Sequence, residues 1–163
     1  MQGEEFSKVG NDNRISRFAH FYGIDGSILG SNVRIDDFSS IKGNLQIGND
    51  IHIASFCLLS GVGGKIVIGN YCGLSSYCSV YTAIEDFIKP TLISPALNKK
   101  FSRIISGDVV FEEAIKAGAS CIFFPNIKVG FGATFAVGSM VNRNIGEGAV
   151  VGPKSRICKI YGK

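Results

Sequence analysis

A six-residue repeat between Phe111 and Val141 limits the possible folds of this chain more than any other feature. An apolar residue or alanine occupies the first position of each six-residue unit, and we call this residue the opener. A small or β-branched residue follows it four places later. This period is neither the 3.6 of a helix nor the alternation of a hairpin strand. It predicts a solenoid in which each six forms one short strand and one corner. The openers are Phe111, Ala117, Phe123, Val129 and Phe135, and the later positions are Ile115, Cys121, Ile127, Ala133 and Ser139.

The same spacing occurs in the first half of the chain, with an interruption at the glycines of Ser60 to Lys65. Those glycines predict a three-residue insertion at a corner, where glycine tolerates unusual backbone angles. Three sixes complete one triangular coil, so the pattern predicts an all-β parallel β-helix of roughly five coils. The openers here are Leu29, Ile35, Ile41, Ile47, Ile53, Leu59, Ile68, Leu74 and Val80.

Four segments follow from where the repeat starts and stops. Residues 1–26 show no repeat, and we predict a small N-terminal cap there, because the end of a solenoid exposes apolar core. Residues 27–157 form the predicted β-helix domain, and residues 84–104 form a protruding loop within it. Loops of that length are usually functional or disordered. Residues 158–163 form a predicted C-terminal tail.

Composition excludes several classes of protein. Hydrophobic residues make up 45% of the 163 residues and charged ones 18%, which indicates a globular domain. No apolar run reaches the roughly 18 residues of a membrane span, and the acidic start predicts no signal peptide. The net charge of +4, without a basic stripe of interleaved aromatics, does not favour nucleic-acid binding. We expect a cytoplasmic protein.

The five cysteines indicate a reducing compartment rather than a disulfide framework, since their number is odd. Cys57, Cys72, Cys78 and Cys121 occupy the small inward place of their sixes, and we predict that they fill the core as compact apolar groups. Cys158 lies outside the repeat and receives no role. With two histidines and no metal-like cysteine pairing, we predict no metal site.

Several motifs resemble a known family. The segments Gly118-Ala-Ser, Phe124-Pro-Asn-Ile-Lys-Val-Gly and Val137-Gly-Ser-Met-Val-Asn-Arg resemble the closing coils of the left-handed β-helix acyltransferases, which use acetyl-CoA. Ile68-Gly-Asn-Tyr and Val80-Tyr-Thr-Ala resemble the branch that contains sugar acetyltransferases of surface-polysaccharide synthesis, among them the dTDP-4-amino-4,6-dideoxyglucose acyltransferases. The resemblance implies a homotrimer with active sites between subunits. It also implies CoA along the coils, with its adenine end near the C-terminal coils.

The resemblance points to Glu85 and Asp86 as candidate catalytic residues. Many members carry a histidine in the segment Tyr-Thr-Ala-Thr-His-Pro, and Glu85 occupies its place here. A carboxylate with a pKa of about 4.3 is a weak base for a hydroxyl, whereas a neutral amine needs only a proton acceptor. Both carboxylates therefore favour N-acylation, although a solvated loop tip is the alternative. His52 should point outward and is a second candidate base, or a surface or interface histidine.

The same resemblance implies two groups of CoA contacts. Gly118, Ala119 and Ala136 match corner positions where small side chains let the pantetheine arm approach, although corners favour small residues in any case. Three cations match positions near the adenosine phosphate, where charge-assisted contacts are strong, although they could also serve solubility. These cations are Arg143, Lys154 and Arg156.

The combined interpretation is an acetyl-CoA-dependent acetyltransferase that acts on a sugar, with the amine of a nucleotide-linked amino sugar as the preferred acceptor. Two alternatives remain at this point. One is an O-acetyltransferase for a polysaccharide or small-molecule hydroxyl. The other is a non-catalytic β-helix scaffold, since the missing histidine is what a decayed enzyme would show.

Overall fold

Short strands wind along the chain in a computed structural model that describes residues 5–86, 103–153 and 156–160. Most are two or three residues long, which matches one strand for each six. In chain order they are β1 (Lys8–Val9), β2 (Arg14–Ile15), β3 (His20–Tyr22), β4 (Ile28–Leu29), β5 (Arg34–Ile35), β6 (Ser40–Ile47), β7 (His52–Ile53), β8 (Leu58–Ile68), β9 (Gly73–Leu74), β10 (Ser79–Tyr81), β11 (Ala83–Glu85), β12 (Ile104–Ser106), β13 (Val109–Phe111), β14 (Lys116–Ala117), β15 (Ile122–Phe123), β16 (Ile127–Val129), β17 (Thr134–Phe135), β18 (Met140–Val141), β19 (Ala149–Gly152) and β20 (Arg156–Ile160).

The strands stack in parallel into three columns, which form the three faces of a prism. The openers pair with one another from coil to coil, so the predicted repeat and the all-β solenoid are confirmed. The register gives six complete coils rather than roughly five, and Val151 continues face 2 into a partial seventh. Face 1 carries Val9, Leu29, Ile47, Ile68, Phe111 and Val129; face 2 carries Ile15, Ile35, Ile53, Leu74, Ala117, Phe135 and Val151; face 3 carries Phe21, Ile41, Leu59, Val80, Phe123 and Val141.

The openers fill the interior of the prism. Those of the inner coils are almost fully buried, and each contributes about 1.5–3 kcal/mol relative to an exposed side chain. In the last coils the rings of Phe111, Phe123 and Phe135 meet edge to face, with centroids 4.8 and 5.0 Å apart. This geometry is favourable for aromatic pairs. The core is therefore one continuous apolar column.

The prediction that residues 1–26 stand outside the repeat was wrong. Strands β1, β2 and β3 pair in parallel with the coil above them, so residues 8–22 form the first coil. Leu29 follows Phe21 by eight positions instead of six, and this longer step hides the period. An end coil has only one neighbour, and Val9 and Ile15 accordingly remain 53% and 40% exposed.

The predicted insertion at the glycines is confirmed. Gly43 pairs with Gly61 and Asn44 with Lys65, so the residues between Gly61 and Lys65 bulge from β8. The second interruption of the repeat starts at β11 and ends at β12, and these two strands pair antiparallel at its base. We call this interruption, residues 83–106, the excursion. Residues 87–102 of the predicted loop lie outside the described residues.

The C-terminal end differs from a simple tail. β20 returns antiparallel along β19, so the predicted boundary between 157 and 158 falls inside a strand. Pairing of this kind satisfies backbone groups that the last coil would otherwise leave exposed. Residues 161–163 lie outside the described residues.

Candidate active site

Four aromatic rings stack along the corner between faces 2 and 3, which we call the second corner. The rings of Phe18, Phe38, Phe56 and Tyr77 follow one another with centroids 5.5, 5.2 and 5.1 Å apart. Each ring belongs to a different coil, and all are between 42% and 58% exposed. We call this row the aromatic ladder. It is an uncommonly long apolar strip for one edge of a small domain.

The aromatic ladder stops at Tyr77, although the backbone of the corner does not change. The next positions are Ser120 and Gly138, with φ of 59° and 73°, against 64° for Tyr77. No ring occupies these positions, and a Cβ added at Gly138 would meet nothing within 4 Å. The corner is therefore open beside Ala119 and Ser120 in the fifth coil and beside Gly138 in the sixth. We call this opening the corner trough.

The predicted pantetheine residues line the corner trough, but they differ in what their backbones can offer. The N–H of Gly118 donates to Phe135 O at 2.9 Å, and the N–H of Ala136 donates to Val151 O at 2.8 Å. Both donors are therefore used between coils. Among the described residues, the N–H of Ala119 has no acceptor, while its carbonyl accepts from Gly138 N. Ala119 is the predicted residue with a donor left for a ligand.

Gly118 has a packing role that the sequence could not separate from ligand binding. A Cβ at this position would lie 2.8 Å from Val137 N and 2.9 Å from Phe135 O. Those atoms belong to the backbone of the next coil and cannot move aside without changing the coil spacing. A side chain at residue 118 would therefore force a local shift between this coil and the next.

Buried thiols lie beneath the second corner. Cys57 donates to Ser75 O at 3.3 Å, Cys78 to Gly118 O at 3.2 Å, and Cys121 to Ala136 O at 3.2 Å. The predicted core positions are confirmed, and the thiols also bond to corner carbonyls. Hydrogen bonding between the Cys78 and Cys121 thiols, with burial, raises the pKa of Cys121. Cys121 therefore does not suit the role of a nucleophile, which needs a thiolate.

His52 lies on the outer side of face 2, as predicted, and belongs to a charged cluster. Its Nε2 lies 2.8 Å from Asp36 Oδ2, and Arg34 Nε lies 2.7 Å from Asp36 Oδ1. Partial burial of Asp36 acts to raise its pKa, but the hydrogen bonds from His52 and Arg34 outweigh it and hold that pKa below its usual value. Asp36 is therefore a carboxylate that orients the imidazole, as acidic partners of functional histidines do.

A shallow pocket of about 410 Å³ connects His52 to the second corner. Gly73 forms its floor, because a Cβ there would meet nothing within 4 Å. Lys116 lines the opposite side, and the hydroxyl-bearing residues Ser75 and Ser76 line the corner side. The pocket reaches Ala117, two residues before Ala119, so it adjoins the corner trough. Lys116 was not among the site residues predicted from the sequence.

Glu85 and Asp86 lie at the base of the excursion and have different surroundings. Glu85 is half-buried in β11, opposite Ile104. Asp86 is buried, its N–H donates to Arg103 O at 2.9 Å, and its Oδ2 lies 3.3 Å from Arg103 Nε. The prediction of a solvated loop tip does not describe Asp86, because a buried carboxylate requires such partners.

The prism separates the predicted site residues. The excursion leaves the corner between faces 3 and 1, which lies opposite face 2, where His52 is located. Arg143 is exposed and follows β18 at the same corner as the excursion, two coils further on. Arg156 lies opposite Gly152 in the β19–β20 pair, and Lys154 lies outside the described residues. One subunit therefore brings His52 near Ala119 but keeps Glu85 and Asp86 on another edge.

Known proteins resemble both the sequence and the structure, although no family profile matches the chain. The dTDP-4-amino-4,6-dideoxy-D-glucose acyltransferase of Escherichia coli is 33% identical over 142 residues, 85% of this chain and 73% of that protein. A variant of AntD, an N-acyltransferase from Bacillus cereus solved with dTDP-4-amino-4,6-dideoxyglucose and coenzyme A, superposes with a TM-score of 0.91. The two sequences are 30% identical, and the superposition covers 97% of this chain and 85% of that chain.

A complex of AntD with dTDP and 3-hydroxybutyryl-CoA gives a TM-score of 0.87 at 32% identity, covering 95% of this chain and 83% of that chain. A hexapeptide-repeat acetyltransferase from Vibrio cholerae, solved with acetyl coenzyme A, gives a TM-score of 0.57 at 18% identity. The superposition covers 97% of this chain and 73% of that chain. This last likeness concerns the fold alone.

The fold and the site together define an acyl-CoA-dependent acyltransferase built on a left-handed parallel β-helix. The chain belongs to the family of the dTDP-4-amino-4,6-dideoxy-D-glucose acyltransferases. The alternative of a non-catalytic scaffold was wrong, since the relatives that establish the family are acyltransferases. Across the described residues, no helix has the length and apolar character to cross a membrane.

Proposed function

We propose that this enzyme transfers an acetyl group, or a comparably short acyl group, from coenzyme A to the amine of a dTDP-linked amino sugar. The reaction would supply a modified sugar for surface-polysaccharide synthesis in the cytoplasm. The free state of the four buried cysteines supports a reducing compartment. Support for the acceptor comes from the family and from AntD, which was solved with such a sugar.

The observation that carries the proposal is the pairing of a free amide with an empty corner. The N–H of Ala119 has no acceptor in the described ranges and lies beside a trough with no ring in it. A pantetheine arm carries amide carbonyls that accept such a bond. A neutral hydrogen bond of this kind contributes about 0.5–1.5 kcal/mol net. Larger side chains at Ala119 or Gly138 would fill the space.

The carboxylates of the excursion support N-acylation. An amine becomes nucleophilic once neutral, and it needs an acceptor for its proton when the tetrahedral intermediate collapses. Glu85 is half-buried at the edge of the excursion, and Asp86 is held there by Arg103. We assign the first contact with the sugar ammonium to these carboxylates. Arg103 then acts as a positioning residue that keeps Asp86 in place.

A homotrimer would unite the separated parts of the site. The excursion and the corner trough occupy different corners of one prism, so a site with both needs a second subunit. Cyclic closure of three subunits buries such edges together. The exposed aromatic ladder supports the same arrangement, because a strip of four exposed rings is a usual mark of an interface.

The experiment is an acceptor screen that follows free thiol release from acetyl-CoA. We expect turnover with dTDP-4-amino-4,6-dideoxyglucose and none with the matching 4-hydroxy sugar. The double variant Glu85→Gln, Asp86→Asn should lose at least tenfold in kcat/KM, within the range for general acid–base groups. Unchanged turnover of that variant would remove both carboxylates from the mechanism. Absence of turnover with every amino sugar would overturn the proposed acceptor.

Mixed trimers test the shared site. One parent carries the double variant in the excursion, and the other carries Ser120→Tyr in the corner trough. If each site takes its parts from two subunits, mixing and reassembling the two impaired parents raises the activity above that of either parent, because some sites receive both wild-type parts. Sites contained within one subunit would leave every mixture no more active than the better parent.

A second candidate, O-acetylation, is favoured by the pair of His52 and Asp36. With Nε2–H donating to Asp36, Nδ1 keeps a lone pair that can accept a proton from a hydroxyl. The discriminating variant is His52→Gln. If the enzyme is an N-acyltransferase that uses the excursion, this variant keeps most of its turnover with the amino sugar. A loss of a hundredfold or more, together with activity of wild type on hydroxyl acceptors, would favour O-acetylation.

A further inference from the structure

The corner trough is the continuation of the aromatic ladder without its rings. Tyr77, Ser120 and Gly138 occupy successive coils with nearly the same left-handed backbone. Coils stack at the spacing of neighbouring strands, about 4.8 Å. Each missing ring therefore leaves a slot about one ring thick. The ring of Tyr77 forms the N-terminal wall of this space, and it is 58% exposed.

Tyr77 is held firmly enough to act as a wall. Its ring lies 5.1 Å from that of Phe56 with an interplanar angle of 4°, so the ring behind it blocks any movement toward the N-terminus. Its N–H donates to Ser55 O at 3.2 Å, which ties the backbone to the coil below. Phe56 is itself stacked on Phe38. The aromatic ladder supports its last ring from behind.

The two ends of the trough differ in access. The ring of Tyr77, backed by Phe56, closes the N-terminal end, whereas Ser120 and Gly138 carry no ring and a Cβ added at Gly138 would meet nothing within 4 Å. Coenzyme A has a bulky anionic nucleotide at one end and an uncharged thioester at the other. The anionic end needs the open, solvated side of the trough, so the acyl group is directed toward Tyr77.

We propose that Tyr77 sets the length of the acyl group that the enzyme accepts. This inference rests on the proposed function, since it needs a thioester in the corner trough. A short acyl group ends before the ring, whereas a longer chain collides with it. Removing the ring would open the space as far as Phe56, one coil further. Tyr77 is then a residue that determines acyl-chain specificity, and the ring of Phe56 would limit the chain length once the ring of Tyr77 is removed.

The test measures binding of acyl-CoAs by calorimetry, which needs no acceptor sugar. Acetyl-CoA, butyryl-CoA and hexanoyl-CoA are compared for wild type and for Tyr77→Gly, a change that suits the positive φ. We expect wild type to bind hexanoyl-CoA more weakly than the two shorter acyl-CoAs. Tyr77→Gly should bind hexanoyl-CoA on the order of tenfold tighter than wild type does, because two more methylene groups of the acyl chain become buried. Acetyl-CoA affinity should stay within about threefold of wild type.

Two matched controls accompany the variant. Phe38→Gly removes a ring of the aromatic ladder at a φ of 60°, two coils away from Tyr77 and three from the trough, and should leave the preference for short chains unchanged. Tyr77→Phe keeps the ring and should also leave it unchanged. An unaltered ratio of hexanoyl-CoA to acetyl-CoA affinity in Tyr77→Gly would overturn the inference. An equal shift in Phe38→Gly would overturn it as well.

A reciprocal variant covers the case in which Tyr77→Gly fails to fold. Ser120→Tyr adds a fifth ring at a position with the same backbone, φ 59°, and should stack on Tyr77. The new ring should abolish binding of every acyl-CoA while leaving thermal stability unchanged. Retained acetyl-CoA binding by this folded variant would contradict the placement of the acyl group. Binding that follows these expectations without turnover on any sugar would instead refute the proposed function alone.

Discussion

Asp86 and Arg103 join the two ends of the excursion. The Asp86 N–H donates to the Arg103 carbonyl at 2.9 Å, and Arg103 Nε lies 3.3 Å from Asp86 Oδ2. The Asp86 side chain is 7% exposed and the Arg103 side chain 55%, so the pair is buried on one side only. The contact orders the base of a segment that interrupts the β-helix for more than twenty residues.

We predict that Arg103→Met destabilises the protein by about 1–3 kcal/mol, because the buried Asp86 carboxylate loses a charged partner. The double variant Arg103→Met, Asp86→Asn should recover part of that loss, since the buried charge is gone. Denaturant unfolding of wild type, both single variants and the double variant measures the coupling. Additive effects of the two changes would contradict a direct interaction.

Gly118→Ala tests the packing role of the corner glycine. Its Cβ would lie 2.8 Å from Val137 N and 2.9 Å from Phe135 O, so we expect a loss of about 1–3 kcal/mol in the free energy of unfolding. Gly73→Ala is the matched control on the same face, because its Cβ would meet nothing within 4 Å. Equal stability of the two variants would show that the coils can separate locally at no cost.

Ala119→Pro tests the amide donor without adding a large side chain. Residue 119 precedes a positive-φ residue, and the chain already carries Pro125 before Asn126, whose φ is 62°. The corner should therefore accept proline, while CoA affinity falls about three- to tenfold through the lost hydrogen bond. Ser55→Pro changes the equivalent position two coils away and should leave the affinity unchanged. Unaltered CoA affinity in Ala119→Pro would remove this amide from the site.

Alkylation of the cysteine thiols tests which of them are buried in the native protein. Of the five cysteines, Cys158 is exposed and the other four are buried. Burial raises the pKa of Cys72 to about 11, so it remains a thiol even near pH 9. We expect iodoacetamide to label Cys158 alone in the native protein, as read by peptide mass spectrometry, and all five cysteines after denaturation. Native labelling of Cys78 would indicate opening of the second corner.

Replacement of a buried thiol by a hydroxyl should be tolerated. Ser39 and Ser139 occupy the same inner place in other coils, where their hydroxyls donate to Ala54 O and Ala136 O. Cys78→Ser should therefore keep the bond to Gly118 O and cost less than about 1.5 kcal/mol. Cys78→Val removes the donor and should cost more. Thermal unfolding measures both variants, and a Cys78→Ser variant that is no more stable than Cys78→Val would contradict a stabilising hydrogen bond at this position.

Several site residues could be predicted from the chain and others could not. The candidacy of Glu85 follows from the family resemblance, whereas the outward direction of His52 follows from local register, and the structure agrees with the latter. The aromatic ladder had a sequence signal, since Phe38, Phe56 and Tyr77 each follow an opener by three places. Lys116 had none, because its importance depends on the open space at Gly73 in the neighbouring coil.

The six-residue period settles which side chains face inward, because that direction depends only on local strand and corner geometry. It also implies parallel stacking, since no coil can bury its openers alone. The contacts between residues of different coils depend instead on how the coils stack. Phe56 and Tyr77 are far apart along the chain but touch across adjacent coils, and the amides of Gly118 and Ala119 differ only in whether the next coil offers an acceptor. Such relations exist only after the coils have closed on one another, because they join residues from different turns of the solenoid.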